Sequence, residues 1–166
     1  GPANKQGRIA ADNICGGNSH FHGSQGSSVL KLFSLTAAST GINEKAAQAA
    51  GIAYDRVVLF PASHAAYYPG AQSMAMKVLY EKESLRLLGA QIVGGEGVDK
   101  RIDVLATAIR AKMTALELTE LDLSYAPPYS SAKDPVNMAG FMIEDLESGK
   151  VRQFHWNEVE DLPCDG

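Results

Sequence analysis

The sequence predicts a mixed α+β domain in which an antiparallel sheet has helices packed on one side. Three observations lead there. Residues 29–37 alternate and contain β-branched side chains, and residues 52–60 read as a second strand. Residues 74–83 and 85–93 are apolar arms joined by the polar turn Lys82-Glu83-Ser84, and the first alternates along its length; together they read as a hairpin. Residues 98–113 and 135–148 repeat apolar side chains at helical spacing.

In chain order, residues 6–14 read as a short helix with Ile9, Ala10 and Ile14 on one face, stopped by Gly16-Gly17. Residues 16–28 are a loop of Gly, Ser, Asn and His. Its His20 and His22, with Cys15 nearby, invite a metal reading, but no second cluster and no carboxylate stands close in sequence. A polar loop without metal is therefore expected. Residues 29–37 read as a single strand, Thr40-Gly41 as a turn, and Asn43 as the cap of a helix over 44–50 that Gly51 ends. After the strand at 52–60, residues 61–69 form a loop carrying His64, Tyr67 and Tyr68. In the hairpin that follows, Met74, Met76, Val78 and Tyr80 share a face.

Gly94-Gly95-Glu96-Gly97 lies between strand and helix, where a phosphate loop would lie. Lys100 occupies the third glycine position of the dinucleotide fingerprint, and the Lys-Ser/Thr ending of a P-loop is absent, so a tight turn is expected. The helix at 98–113 has its apolar stripe at Ile102, Leu105, Ile109 and Met113, with Asp103, Arg110 and Lys112 elsewhere on its surface. Residues 114–122 make a shorter helix or turn, and the last helix, 135–148, aligns Val136, Ala139, Ile143 and Leu146 before Gly149.

A chain of 166 residues suits one domain with a sizeable core. Its net charge of -4, with no block of Lys or Arg, argues against nucleic acid and anionic membrane as partners. No apolar run approaches the length of a membrane span, and no signal-peptide stretch opens the chain. The two cysteines, Cys15 and Cys164, lie at opposite ends, which suits a reducing cytoplasm rather than a disulfide framework.

One stretch, residues 124–137, stands out. Pro127-Pro128 stiffens it and pushes the backbone towards extended conformations, and Asp134-Pro135 supplies an N-cap followed by proline at the first helical position. Tyr125 and Tyr129 ride on the stiff part. They either cover a core edge or hold their phenols in fixed places.

This run closely resembles the C-terminal dimerisation domain of the FAD-dependent pyridine-nucleotide disulfide reductases, in the branch of coenzyme A-disulfide reductases, NADH oxidases and persulfide reductases. Residues 1–8, Thr40-Gly41-Ile42-Asn43-Glu44-Lys45, His64-Ala65-Ala66-Tyr67-Tyr68-Pro69-Gly70 and residues 97–103 match in the same order. The resemblance implies that residues 1–25 end an FAD-binding domain, 26–148 form the dimerisation domain, and 149–166 are a linker and the start of a rhodanese-like domain. It implies that the chain, which opens on Gly1-Pro2, is part of something larger. It also implies FAD and NAD(P)H as cofactors of the parent enzyme, with none held tightly here. Ala3, Asn4 and Lys5 would lie on the flavin side.

Family chemistry needs a redox cysteine and two GxGxxG motifs, and none is present in this sequence. The role implied is therefore to form a homodimer and lend side chains to the partner subunit's site, where coenzyme A disulfide or persulfide is reduced. Tyr67 and Tyr125 are the implied proton donors, with Tyr68 and Tyr129 beside them. His64 is the other candidate acid. The alternatives are the dimerisation domain of an oxygen-reducing NADH oxidase and a catalytically silent dimeric scaffold.

Overall fold

The computed structural model describes residues 1–161; Cys164 and the end of the expected rhodanese-like start lie outside the described residues. The sheet has five antiparallel strands: β1 (Ser28–Leu32), β2 (Leu35–Gly41), β3 (Tyr54–Leu59), β4 (Ala75–Glu81) and β5 (Leu87–Gly94), in spatial order β1-β2-β5-β4-β3. The helices are α1 (Pro2–Ile14), α2 (Glu44–Ala49), α3 (Val98–Arg110) and α4 (Pro135–Glu147), with single 3-10 turns at Leu116–Glu120 and Trp156–Asp161.

Strand register explains the core. Val29, Ala38, Ile92, Met76 and Leu59 form one cross-strand row, and Thr40, Ala90, Val78 and Val57 the next, all pointing to the same face. Onto that face α3 brings Val98, Ile102, Leu105 and Ala108, and α4 brings Val136, Ala139 and Ile143. Each large aliphatic side chain so buried contributes roughly 1.5–3 kcal/mol. The buried Tyr80 hydroxyl donates to Glu147 Oε1 at 2.9 Å and ties the sheet to the last turn of α4.

The opposite face is treated differently at its two ends. Near β3 and β4, Glu44 of α2 accepts from Arg56 at 2.8 Å and Lys77 at 2.7 Å. Gly89 lies there too, against the backbone of Ile42, leaving no room for a Cβ. Towards β1, the paired residues Leu30, Ala37, Val93 and Ala75 make an apolar row with no helix on it, and Leu30 and Val93 are exposed.

Two local expectations change. The strand expected over 29–37 is two strands, with Leu32 paired to Leu35 across Phe33-Ser34. The turn is tight because Phe33 takes φ 52°, a conformation usually left to Gly or Asn, so neither residue signals it in the sequence. The first helix starts at Pro2 rather than residue 6, proline being well suited to a first helical position. Its face of Ile9, Ala10 and Ile14 packs little, since no residue of α1 is buried.

Candidate active site

Two loops at one end of the sheet carry the tyrosines. The first, between β3 and β4, is closed at its base by Met74 N–H donating to Pro61 O at 2.9 Å and Ser63 N–H to Gln72 O at 2.8 Å. The second leads into α4. Pro127-Pro128 does not stay extended there: it turns, with Ala126 O accepting from Tyr129 N–H at 2.8 Å and Ser130 N–H at 3.1 Å. Proline at a turn's second position presets the φ that such a turn needs. Asp134 then caps α4 by accepting from Val136 N–H at 3.0 Å, with Pro135 following.

The two loops bring Tyr67 and Tyr125 together, with hydroxyl oxygens 3.2 Å apart. Both residues reach solvent, at 76% and 47% exposure, so packing holds the first ring little and the second only in part. Either hydroxyl can donate. The bond to Tyr67, with a little burial, holds the Tyr125 proton more tightly than in an ordinary phenol. With Tyr125 as the donor, the Tyr67 hydrogen is free to turn outward.

The other candidates are placed differently. His64 is buried, with Nδ1 3.2 Å from Ala65 O and its ring edge-on to Tyr68 at 5.7 Å. Tyr129 is exposed, and its backbone rather than its phenol is engaged. A pocket of about 300 Å³ opens beside these groups, lined by His64, Lys100, Arg101, Ser124 and Tyr129 among others.

Beneath both loops lies Arg101, 1% exposed and one turn into α3. Its guanidinium donates to Asp134 Oδ2 and Ser130 Oγ at 3.1 Å each, Ser63 O at 2.9 Å, Gly97 O at 3.1 Å and Tyr129 O at 3.4 Å. Ser130 Oγ donates to Asp134 Oδ2 at 2.6 Å. Burial pushes Asp134 up, but the Ser130 hydroxyl, the Val136 N–H and the Arg101 guanidinium outweigh it and hold the carboxyl below its usual range. The sequence reading passed over Arg101. Its place between Val98 and Leu105 on the buried stripe of α3 is the signal that could have found it.

Arg101 also explains the glycine turn. A Cβ on Gly97, at φ 73°, would overlap the guanidinium, and one on Gly95 would overlap the Gln72 amide. These glycines make room for the chain's own side chains, not for a phosphate.

Ala3, Asn4 and Lys5 lie apart from the tyrosines, exposed in the first turn of α1. The Ala3 and Asn4 N–H groups precede the first intrahelical bond, Lys5 to Gly1, and have no side-chain cap. Lys5 lines a cleft of about 650 Å³ that also takes in His20, His22, Asp103 and Arg110. These donors and the ammonium fit one edge of a flavin, and the glycine turn offers nothing to its diphosphate. Among the described residues no group of three or more His, Cys, Asp or Glu is placed to hold a metal.

Residues 27–136 match the family model for the dimerisation domain of pyridine nucleotide-disulphide oxidoreductases. The chain is 41% identical over 143 residues to the coenzyme A disulfide reductase of Staphylococcus epidermidis, covering 86% of this chain and 32% of that protein. It superposes on the reduced CoADR-RHD of Bacillus anthracis with TM-score 0.91 and 49% identity, over 96% of this chain and 29% of that one. It superposes on the NAD-dependent persulfide reductase of A. fulgidus with TM-score 0.90 and 45% identity, over 94% and 29%. The chain thus spans about a third of the length of the curated relatives it matches. With this sheet, these loops and that match, the chain belongs to the pyridine nucleotide-disulphide oxidoreductase dimerisation-domain family.

Proposed function

We propose that this chain is the dimerisation domain of an FAD- and NAD(P)H-dependent reductase of coenzyme A disulfide or persulfide, and that it presents Tyr67 and Tyr125 to the partner subunit's site. The Tyr67–Tyr125 hydroxyl contact, 3.2 Å across two loops in an exposed position, carries the reading. When a thiolate attacks a disulfide, a new S–S bond forms, the old one breaks, and the departing sulfur keeps the electron pair. In this reading the Tyr67 hydroxyl donates a hydrogen bond to that sulfur. An ordinary phenol is about 1.5 pKa units weaker an acid than an ordinary thiol, so complete transfer is uphill by roughly 2 kcal/mol. The Tyr125 hydroxyl, donating to Tyr67, offsets part of that cost by steadying the charge left on the phenol oxygen.

The flavin, bound in the full-length protein, supplies the electrons that regenerate the attacking thiol. On this chain the Ala3 and Asn4 N–H groups and the Lys5 ammonium would face one edge of it. We read residues 1–25 as the end of the flavin domain, 26–148 as the dimerisation domain and 149–166 as a linker towards a rhodanese-like domain. The apolar row of Leu30, Ala37, Val93 and Ala75 supports a homodimer over a free monomer. No helix among the described residues is long and apolar enough to cross a membrane, and we propose the cytoplasm as its compartment.

The test is NADH oxidation by the full-length protein, offered coenzyme A disulfide, coenzyme A persulfide and oxygen in parallel, beside Tyr67→Phe and Tyr125→Phe. A loss of about tenfold or more on a coenzyme A substrate in either variant, on the order of 1.4 kcal/mol, is the expected result. Turnover of oxygen alone, variants equal to the parent, or a monomer at micromolar concentration by light scattering would overturn it.

A further inference from the structure

We propose that Arg101 is the positioning residue of the phenol pair: its buried guanidinium fixes the two loops at the spacing that lets Tyr67 and Tyr125 touch. This rests on reading those tyrosines as the donors. Tyr67 is largely exposed and Tyr125 about half exposed, so the loop backbones have the larger part in setting the distance between the hydroxyls. Those backbones meet at Arg101. It donates to the carbonyl of Ser63, four positions before Tyr67, and to that of Tyr129, four positions after Tyr125. It also holds Ser130 by its hydroxyl, and Ser130 O accepts from Ala65 N–H at 3.0 Å, joining the second loop to the first. Ala65 O in turn accepts from Tyr68 N–H at 2.9 Å, next to Tyr67. A relative shift of the loops by about 1 Å would lengthen the 3.2 Å contact beyond hydrogen-bonding range.

Stability alone explains Arg101 poorly. A cation in the first turns of a helix opposes the helix dipole, and a buried ion pair often contributes less than an apolar replacement of the same size. The guanidinium's rigid fan of donors suits it to fastening several carbonyls and a carboxylate at set angles, which an ammonium cannot copy.

The experiment compares Arg101→Lys, Tyr67→Phe and the double variant in the full-length protein. Arg101→Lys is expected to lower kcat on the coenzyme A substrate about tenfold, with KM for NADH unchanged. The double variant should be no slower than Tyr67→Phe, because the loss passes through the phenols. Independently of turnover, the Tyr125 ring-carbon NMR signal, assigned with Tyr125→Phe, should titrate at lower pH in Arg101→Lys, as it should in Tyr67→Phe. Losses that multiply in the double variant, or a Tyr125 titration that Arg101→Lys leaves unmoved, would overturn the proposal. If the tyrosine variants turn over at the parental rate, the donor reading fails, and the Tyr125 titration alone decides the role of Arg101. If the lysine variant does not accumulate, Ser130→Ala keeps the ion pair and should move the Tyr125 titration the same way by less. An unchanged titration there also refutes the proposal.

Discussion

Replacing Asp134 by Asn removes one charge and keeps an oxygen that can cap α4. The cost follows from what is left behind. Arg101 is 1% exposed, and Asp134 is the carboxylate paired with it, at 3.1 Å. Breaking a buried pair by removing one partner costs about 3–5 kcal/mol, because the other charge stays buried without compensation. Lys100, 3.7 Å from the same carboxylate and a third exposed, adds little. Asp134→Ala also loses the bond from Val136 N–H, adding about 1 kcal/mol. Against a total stability of about 5–15 kcal/mol, either change is large. Urea unfolding followed by far-UV circular dichroism at pH 7 and fixed protein concentration measures both. The pH dependence has a definite sign: the folded carboxyl sits below its ordinary value, so its contribution is complete above about pH 4 and is lost as the pH falls through the lowered folded value. Parent and Asn variant should therefore differ most near neutrality and converge below about pH 4. An Asn variant within about 1 kcal/mol of the parent at pH 7 would refute the reasoning, since a charge left buried and unpaired costs more than that.

Two further substitutions test the frame around the site. Gly89→Ala would drive a Cβ into the Ile42 carbonyl where β2 leaves the sheet, and should destabilise at the upper end of about 1–3 kcal/mol in the same urea assay. Phe33→Gly should stabilise by about 1 kcal/mol, because Phe33 is 94% exposed and gains little from its ring while holding φ 52°; a destabilised variant would mean that the ring packs in solution.

Periodicity carried most of the fold. The β4–β5 hairpin and the stripes of α3 and α4 are written as alternation and as three-four spacing, and tertiary packing agrees with them. The β1–β2 turn was hidden because it is made by Phe33-Ser34, residues that advertise nothing, and a continuous apolar run looks the same straight or folded back. The site was legible only in part. Asp134-Pro135 announced the start of α4, but nothing local says that Asp134 also neutralises an arginine on another helix. A charged residue on an amphipathic helix is ordinarily assigned to solvent, and Arg101 is a case where the stripe should have outweighed the charge. The choice of Tyr67 and Tyr125 came from resemblance alone, and their contact across 58 positions has no periodic signature.

That separation bears on how the molecule is made. The phenol pair closes a loop of 58 positions and the Arg101–Asp134 pair one of 33, and the first encloses β4, β5 and the whole of α3. Chain closure over such spans is entropically costly until the intervening hairpin and helix exist, and the sheet meets the same cost, since β2 pairs with β5 from Thr36↔Gly94 to Gly41↔Gly89. The phenol contact, though, joins two exposed side chains rather than a buried ladder, so circular dichroism, which reads the sheet and helices, does not report whether the two tyrosines have met. Local opening of either loop would part the hydroxyls and leave the sheet paired.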